Sequence, residues 1–126
     1  MLSDSKAFSG IGVDDLGAAR RFYGETLGQR VEVLDEQNGL MTLHLAGDRP
    51  TLVYQSPGMT PPNYTVLNFP VDDVDAAVEW LSSRGVTFER YEGMPQEPND
   101  VMKGHGPDIA WFKDPAGNTL SVLKED

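Results

Sequence analysis

The chain has 126 residues, no cysteine, and 20 Asp and Glu against 10 Lys and Arg, for a formal net charge of −10. That is the size of one ordinary domain, and the missing thiol excludes disulfides, thiolate metal ligands and a cysteine nucleophile. The acidic balance argues against nucleic acid, whose affinity rests on Lys and Arg at phosphates; its plainest use is solubility, and its field favours a neutral or cationic small ligand.

The stretch Met1 to Ala7 is polar, and no apolar run approaches the ~20 residues of a membrane span. The expectation is a soluble, cytoplasmic protein with no membrane partner. Phe8 to Val13 reads as a first strand. Asp14 or Asp15 then caps a helix running to about Leu27, because an Asp oxygen accepts orphan N–H groups of a first turn. Leu16, Ala19, Phe22, Tyr23 and Leu27 recur at helical spacing, and Gly28 ends the helix. Arg30 to Leu34 alternates as a strand, Glu36-Gln37-Asn38-Gly39 turns, and Leu40 to Ala46 is the next strand. Gly47-Asp48-Arg49-Pro50 turns again into a strand over Thr51 to Gln55, and Ser56-Pro57-Gly58 closes a βαβββ unit.

Pro61-Pro62 links to a second unit. Its strand covers Tyr64 to Val71, Asp72 or Asp73 caps its helix, Val74, Ala77, Val78 and Leu81 form one face, and Gly85 stops it. Val86 to Tyr91 reads as a strand. Glu92 to Pro107, with three Gly and three Pro, is irregular and long enough to suggest a lid or a mobile segment. Asp108 to Lys113, the turn Asp114-Pro115-Ala116-Gly117-Asn118, and Thr119 to Leu123 complete a second βαβββ.

The two units are copies. Val13-Asp14-Asp15-Leu16-Gly17-Ala18-Ala19 returns as Val71-Asp72-Asp73-Val74-Asp75-Ala76-Ala77, 58 positions later. The fold class is therefore α+β: two tandem βαβββ modules, about 6–58 and 64–124, in a single domain over 1–126.

These segments resemble the glyoxalase / bleomycin-resistance / dioxygenase family, the vicinal oxygen chelate superfamily. The likeness is carried by Val-Asp-Asp-Leu-x-x-Ala-x-x-Phe-Tyr at 13–23 with Leu27-Gly28, by Val-Asp-Asp-Val-Asp-Ala-Ala at 71–77, and by Trp-Phe-Lys-Asp-Pro-Ala-Gly-Asn-Thr-Leu at 111–120. It implies a curled mixed sheet around a ligand cleft shared by the modules, often within a homodimer, and in several members a divalent metal. The metal-ligand slots that it implies fall here on Phe8, Thr51, Val66 and Ser121. Phe and Val have no lone pair to donate, and neutral hydroxyls replace carboxylate or imidazole poorly. The resemblance then points to the metal-free, drug-sequestering branch, with no metal and no cofactor.

Alternation places Thr51, Val53 and Gln55 on one strand face, with Leu52 and Tyr54 on the other, and aligns Val66 with Asn68. Trp111 and Phe8 are the candidate stacking groups for an aromatic or cationic ligand, with Thr51, Gln55, Asn68 and Ser121 to orient it. His44 and His105 are the weaker candidates for acid/base work. Two alternatives stand beside a binding protein. One is a metal-dependent or acid/base lyase, isomerase or dioxygenase of the same superfamily; the other is a regulatory or assembly module whose cleft is vestigial.

Overall fold

The structure, a computed structural model, describes residues 1–125. Its backbone falls into two compact units, residues 1–60 and the residues from Pro61 onward. In the first, β1 (Ser9–Val13) leads to α1 (Leu16–Arg20), followed by β2 (Arg30–Asp35), β3 (Leu40–Leu45) and β4 (Arg49–Gln55). The sheet order is β1-β4-β3-β2, with β1 parallel to β4 and the other pairs antiparallel. In the second unit, β5 (Thr65–Val71), α2 (Val74–Ser83), β6 (Ile109–Lys113) and β7 (Thr119–Lys124) form a sheet of order β5-β7-β6, again with first and last strands parallel. The α+β class and the duplicated plan are as the sequence predicts.

The acidic pair does the same job twice. Asp15 and Asp73, the second member of each pair, have φ/ψ of −139/105 and −138/104. Their carboxylates accept from Ala18 N at 3.1 Å and Ala76 N at 3.0 Å. Each takes up one orphan donor of the first helical turn. In the first unit Gln55 adds a long-range tie, its Oε1 accepting from Leu16 N at 3.0 Å.

Three features depart from the expected elements. The helix predicted to Leu27 is α-helical only to Arg20, and Arg21–Thr26 widens into π-helix, Leu27 N donating to Phe22 O. Gly24 lies in this widened turn, where a Cβ would be 3.5 Å from Val31 Cγ2, so the turn rests directly on β2. The strand predicted over Val86 to Tyr91 does not form; Phe88 makes a single bridge to Phe112. Gln96 is the reason. Its Oε1 accepts from Tyr91 N at 2.7 Å and its Nε2 donates to Glu89 O at 2.9 Å, so a side chain takes backbone groups that a ladder would use.

The third departure concerns the segment 92–107, predicted as a lid or mobile loop. Gln96 Nε2 also donates to Asp100 O at 2.8 Å, and Arg90 Nη2 donates to Glu97 O at 2.7 Å. Arg90 Nε pairs with Asp100 Oδ1 at 3.0 Å, while Asn99 Nδ2 and Lys103 Nζ each donate to the Asp75 carboxylate on α2 at 2.8 Å. The loop is irregular but pinned at both ends.

The core of the first unit includes Ile11, Val13, Tyr23, Met41, Leu43 and Val53, all but fully buried. In the second, Ala110, Phe112, Leu120 and Val122 are buried with Val74, Val78 and Leu81 of α2. The turn before β7 is held by Asp114, whose carboxylate accepts from Ala116 N at 3.0 Å, Asn118 N at 2.9 Å and Asn118 Nδ2 at 3.0 Å.

Two outcomes follow. Gly39 has φ +68, and a Cβ there would stand 2.7 Å from Gln55 Cβ, whereas Gly28 has φ +71 with nothing within 4 Å. Gly28→Ala is expected to cost about 1 kcal/mol of backbone strain. Gly39→Ala adds displacement of the residue that ties α1, for a loss of about 2–3 kcal/mol in urea unfolding. Equal losses would contradict this account. The second outcome concerns pH. Hydrogen bonds from Lys103 and Asn99 hold the Asp75 carboxyl below its ordinary value of 3.8, and Asp75 holds the Lys103 ammonium above its own. The Asp75 contribution is therefore present above the ordinary carboxylate range and is lost as pH falls through the lowered value. Asp75→Asn is expected to raise hydrogen exchange of loop amides at neutral pH and to make no difference at strongly acidic pH; the same difference at both would refute the pairing.

Candidate functional site

Strand pairing assigns every side chain of the first unit's sheet to one of two faces. The cross-strand rows Ile11–Val53–Met41–Val33 and Ser9–Thr51–Leu43–Val31 share a face, because residues paired directly across a sheet point the same way. This is the helix side, since the widened turn at Gly24 lies against Val31. Thr51 and Val53, buried there, are thus covered by the helix and do not share a face with Phe8. Gln55 spends its carbonyl on Leu16 N. The structure therefore places these three, expected from the sequence to line a ligand face, on the helix-covered face of the sheet.

The opposite face carries other rows: Gly10–Leu52–Thr42–Glu32, Gly12–Tyr54–Leu40, and Pro50–His44–Arg30, with Phe8 just ahead of β1 beside Pro50. Phe8 is 63% exposed and Tyr54 41%. A Cβ at Gly10 would meet Tyr54 Cε1 at 3.4 Å, and one at Gly12 would meet its Cζ at 3.7 Å and Met59 Cε at 3.8 Å. The phenol ring therefore lies across a strip of bare backbone, a position that two glycines make available. Tyr54 and Leu52 were not foreseen as site residues. The readable signal was Gly-x-Gly in the first strand, which leaves space only a large side chain on the neighbouring strand can fill.

The duplicated register makes the same correction another way. Gly10 and Asn68 are equivalent under the 58-residue shift; Gly10 pairs with Leu52 and Asn68 with Ser121. The counterpart of Ser121 is Leu52, not Thr51. The four slots are then Phe8, Leu52, Val66 and Ser121, three of them without a lone pair. They do not fit a divalent cation. Among the described residues no group of three or more His, Asp or Glu is placed to hold a metal ion.

In the second unit Asn68, Ser121 and Trp111 share one face. Ser121 is fully buried and its hydroxyl donates to Asn68 Oδ1 at 2.5 Å. Trp111, half-buried, meets Tyr91 edge to face with ring centroids 5.6 Å apart at 72°. Burial pushes the Tyr91 phenol above its ordinary pKa of 10.0, with the Glu89 charge adding to the rise, so the ring stays a neutral partner. Val66 falls at a register shift between Thr65 and Leu67, opposite no residue of β7.

The two histidines part company. His44, on the Tyr54 face, has its Nε2 2.8 Å from Glu32 Oε1. His105 is exposed in the 92–107 loop, with no side-chain hydrogen bond or ion pair among the described residues.

A glyoxalase family protein from Enterococcus faecalis is 22% identical, the match covering 98% of this chain and 100% of that one with a TM-score of 0.68. A member of the glyoxalase/bleomycin resistance protein/dioxygenase superfamily from Sphaerobacter thermophilus is 26% identical, covering 96% and 98% with a TM-score of 0.68. TnmS3, an antibiotic binding protein from Streptomyces sp. CB03234, is 24% identical over 98% of each chain, also at 0.68. No curated protein matches the chain. The family model of the Glyoxalase/Bleomycin resistance protein/Dioxygenase superfamily matches residues 7–122, nearly the whole duplicated pattern, and the chain belongs to that superfamily.

Proposed function

We propose that the protein binds a small aromatic molecule without a metal and without transforming it, in the manner of a sequestering protein. One observation carries this reading: each unit presents an aromatic group on the sheet face where the superfamily's ligand slots fall. These are Tyr54 across the Gly10–Gly12 strip in the first and Trp111 braced by Tyr91 in the second. Rings offer broad apolar contact with one polar handle, and bracing them in advance lowers the ordering cost of binding. Phe8 adds an exposed ring in the first unit, and the Ser121–Asn68 pair leaves the Asn68 amide nitrogen for a ligand acceptor. The donor set at the metal slots favours binding over Lewis-acid chemistry. That TnmS3 binds an antibiotic on the same fold agrees with this use.

A cytoplasmic homodimer belongs to the same proposal. The association, though not the compartment, is supported by Trp80, 49% exposed on α2 with the Arg84 guanidinium 4.7 Å over its ring.

A second reading has its own observation. The Glu32–His44 pair resembles an oriented general base, and it stands on the Tyr54 face, so an acid/base lyase or isomerase would use His44.

The test uses the two tryptophans. Trp80→Phe leaves Trp111 as the sole indole, and titration with N-phenyl-1-naphthylamine or an anthracycline is expected to quench its emission saturably. Trp111→Ala is expected to weaken binding about three- to tenfold, the usual worth of an aromatic pair. An unresponsive Trp111 would overturn the proposal. So would Zn²⁺ or Mn²⁺ binding at one per chain with submicromolar affinity.

A further inference from the structure

Where β2 begins, β3 ends and the chain turns into β4, the first unit has a cavity of about 380 Å³ lined by Arg30, His44, Leu45, Ala46, Gly47, Asp48, Arg49 and Pro50. Its charge runs against the chain. Residues 1–60 hold eight acids against five Lys and Arg, and residues 61–126 hold twelve against five. Arg30, Arg49 and His44 nevertheless line the cavity with Asp48 as the single acid, Arg30 and His44 from the Tyr54 face and Arg49, paired with Leu45, from the opposite phase of β4. Arg30 and Arg49 make no ion pair among the described residues, unlike Arg90, Lys103 and Lys113. The remaining nearby acid, Glu32, is engaged by His44 Nε2 at 2.8 Å, which leaves Nδ1 as the unclaimed ring nitrogen. Two unpaired arginines in one concavity are a poor use of charge for solubility, but a guanidinium fork suits an oxyanion.

The cavity continues a graded surface. The row Pro50–His44–Arg30 adjoins Gly10–Leu52–Thr42–Glu32, which adjoins Gly12–Tyr54–Leu40. Strand neighbours stand ~4.8 Å apart and same-face residues of a strand ~6.6 Å apart, so the Arg30 and Tyr54 backbones are about 16 Å apart, a gap that a long arginine side chain and a drug-sized molecule span together. The face is cationic at one end and aromatic at the other. We infer that the first unit binds an organic acid, its carboxylate, sulfonate or phosphate held by Arg30 where the cavity opens beside His44 and its apolar body laid over Leu52 and Tyr54. This inference rests on the small-molecule reading above and names the ligand's class. It replaces the expectation of a cationic ligand drawn from net charge, because contacts inside one Debye length, ~10 Å at 0.1 M salt, outweigh the distant field.

A matched pair of dyes tests it. 8-Anilinonaphthalene-1-sulfonate carries the anion and N-phenyl-1-naphthylamine is the same skeleton without it. The sulfonate is expected to bind at least tenfold more tightly. Arg30→Gln, at an exposed position, should weaken it roughly tenfold while leaving the neutral dye within about twofold, and Arg49→Gln, in the opposite phase of β4, should weaken it less. If both dyes bind equally and neither substitution matters, the organic-acid assignment fails while small-molecule binding stands. If neither dye binds, both fail. Displacement of the sulfonate by inorganic phosphate as readily as by 1-naphthoate would also overturn the assignment, in favour of a free phosphate site.

Discussion

In each half of the chain the first strand runs parallel to the last, and that pairing governs everything else the sheet does. Hydrogen-bonding Gly10 opposite Leu52 and Asn68 opposite Ser121 sets which alternate side chains turn towards the helix and which turn away. A slip of one position would bring Leu52 and Tyr54 under α1 and expose Thr51 and Val53. The register is secured from both ends. Gln55 at the end of β4 reaches the first turn of α1, and the Asp114–Asn118 clasp delivers the chain into β7 at a fixed residue. Helix caps at Asp15 and Asp73 then start each helix at the same distance from its strand.

Much of this was legible because the duplication prints the plan twice. The repeated Val-Asp-Asp identifies strand end, cap and helix start, and the conformation of the cap shows why its second Asp is the working one: its carboxylate lies within reach of the N–H three residues on. What failed was counting on the far strand. Matching Thr51-Leu52-Val53-Tyr54 to Ser121-Val122-Leu123-Lys124 by residue type put Thr51 in the place of Leu52. β4 starts within the turn at Arg49, and nothing in the string Arg49-Pro50-Thr51 marks its phase. Only the pairing with β1 does so. The His44 face was readable because His44 alternates with Thr42 against buried Met41 and Leu43.

Two misreadings came from side chains or backbone that compete with regular structure. Val86 to Tyr91 has strand-like composition, yet Gln96, downstream in the loop, occupies Tyr91 N and Glu89 O. Such long-distance substitution leaves no periodic trace. The widened turn at Arg21–Thr26 was equally invisible, since an i→i+5 bond demands no special residue; Gly24 is the local clue, and it bears on the close approach to Val31. The positions on which the resemblance puts metal ligands, by contrast, are informative in what occupies them: of Phe8, Leu52, Val66 and Ser121, three have no lone pair to donate.

The carboxamide of Gln96 has one more implication. It joins Glu89, Tyr91 and Asp100 through neutral groups, whereas the far end of the same segment is moored by Lys103 and Asp75 and its near end braced by Arg90 and Asp100. Ionic strength acts on charged contacts at the surface and hardly at all on an amide clasp. Added salt is therefore expected to loosen the segment more where Lys103 meets α2 than where the Gln96 amide clasps Tyr91, the ring that braces Trp111.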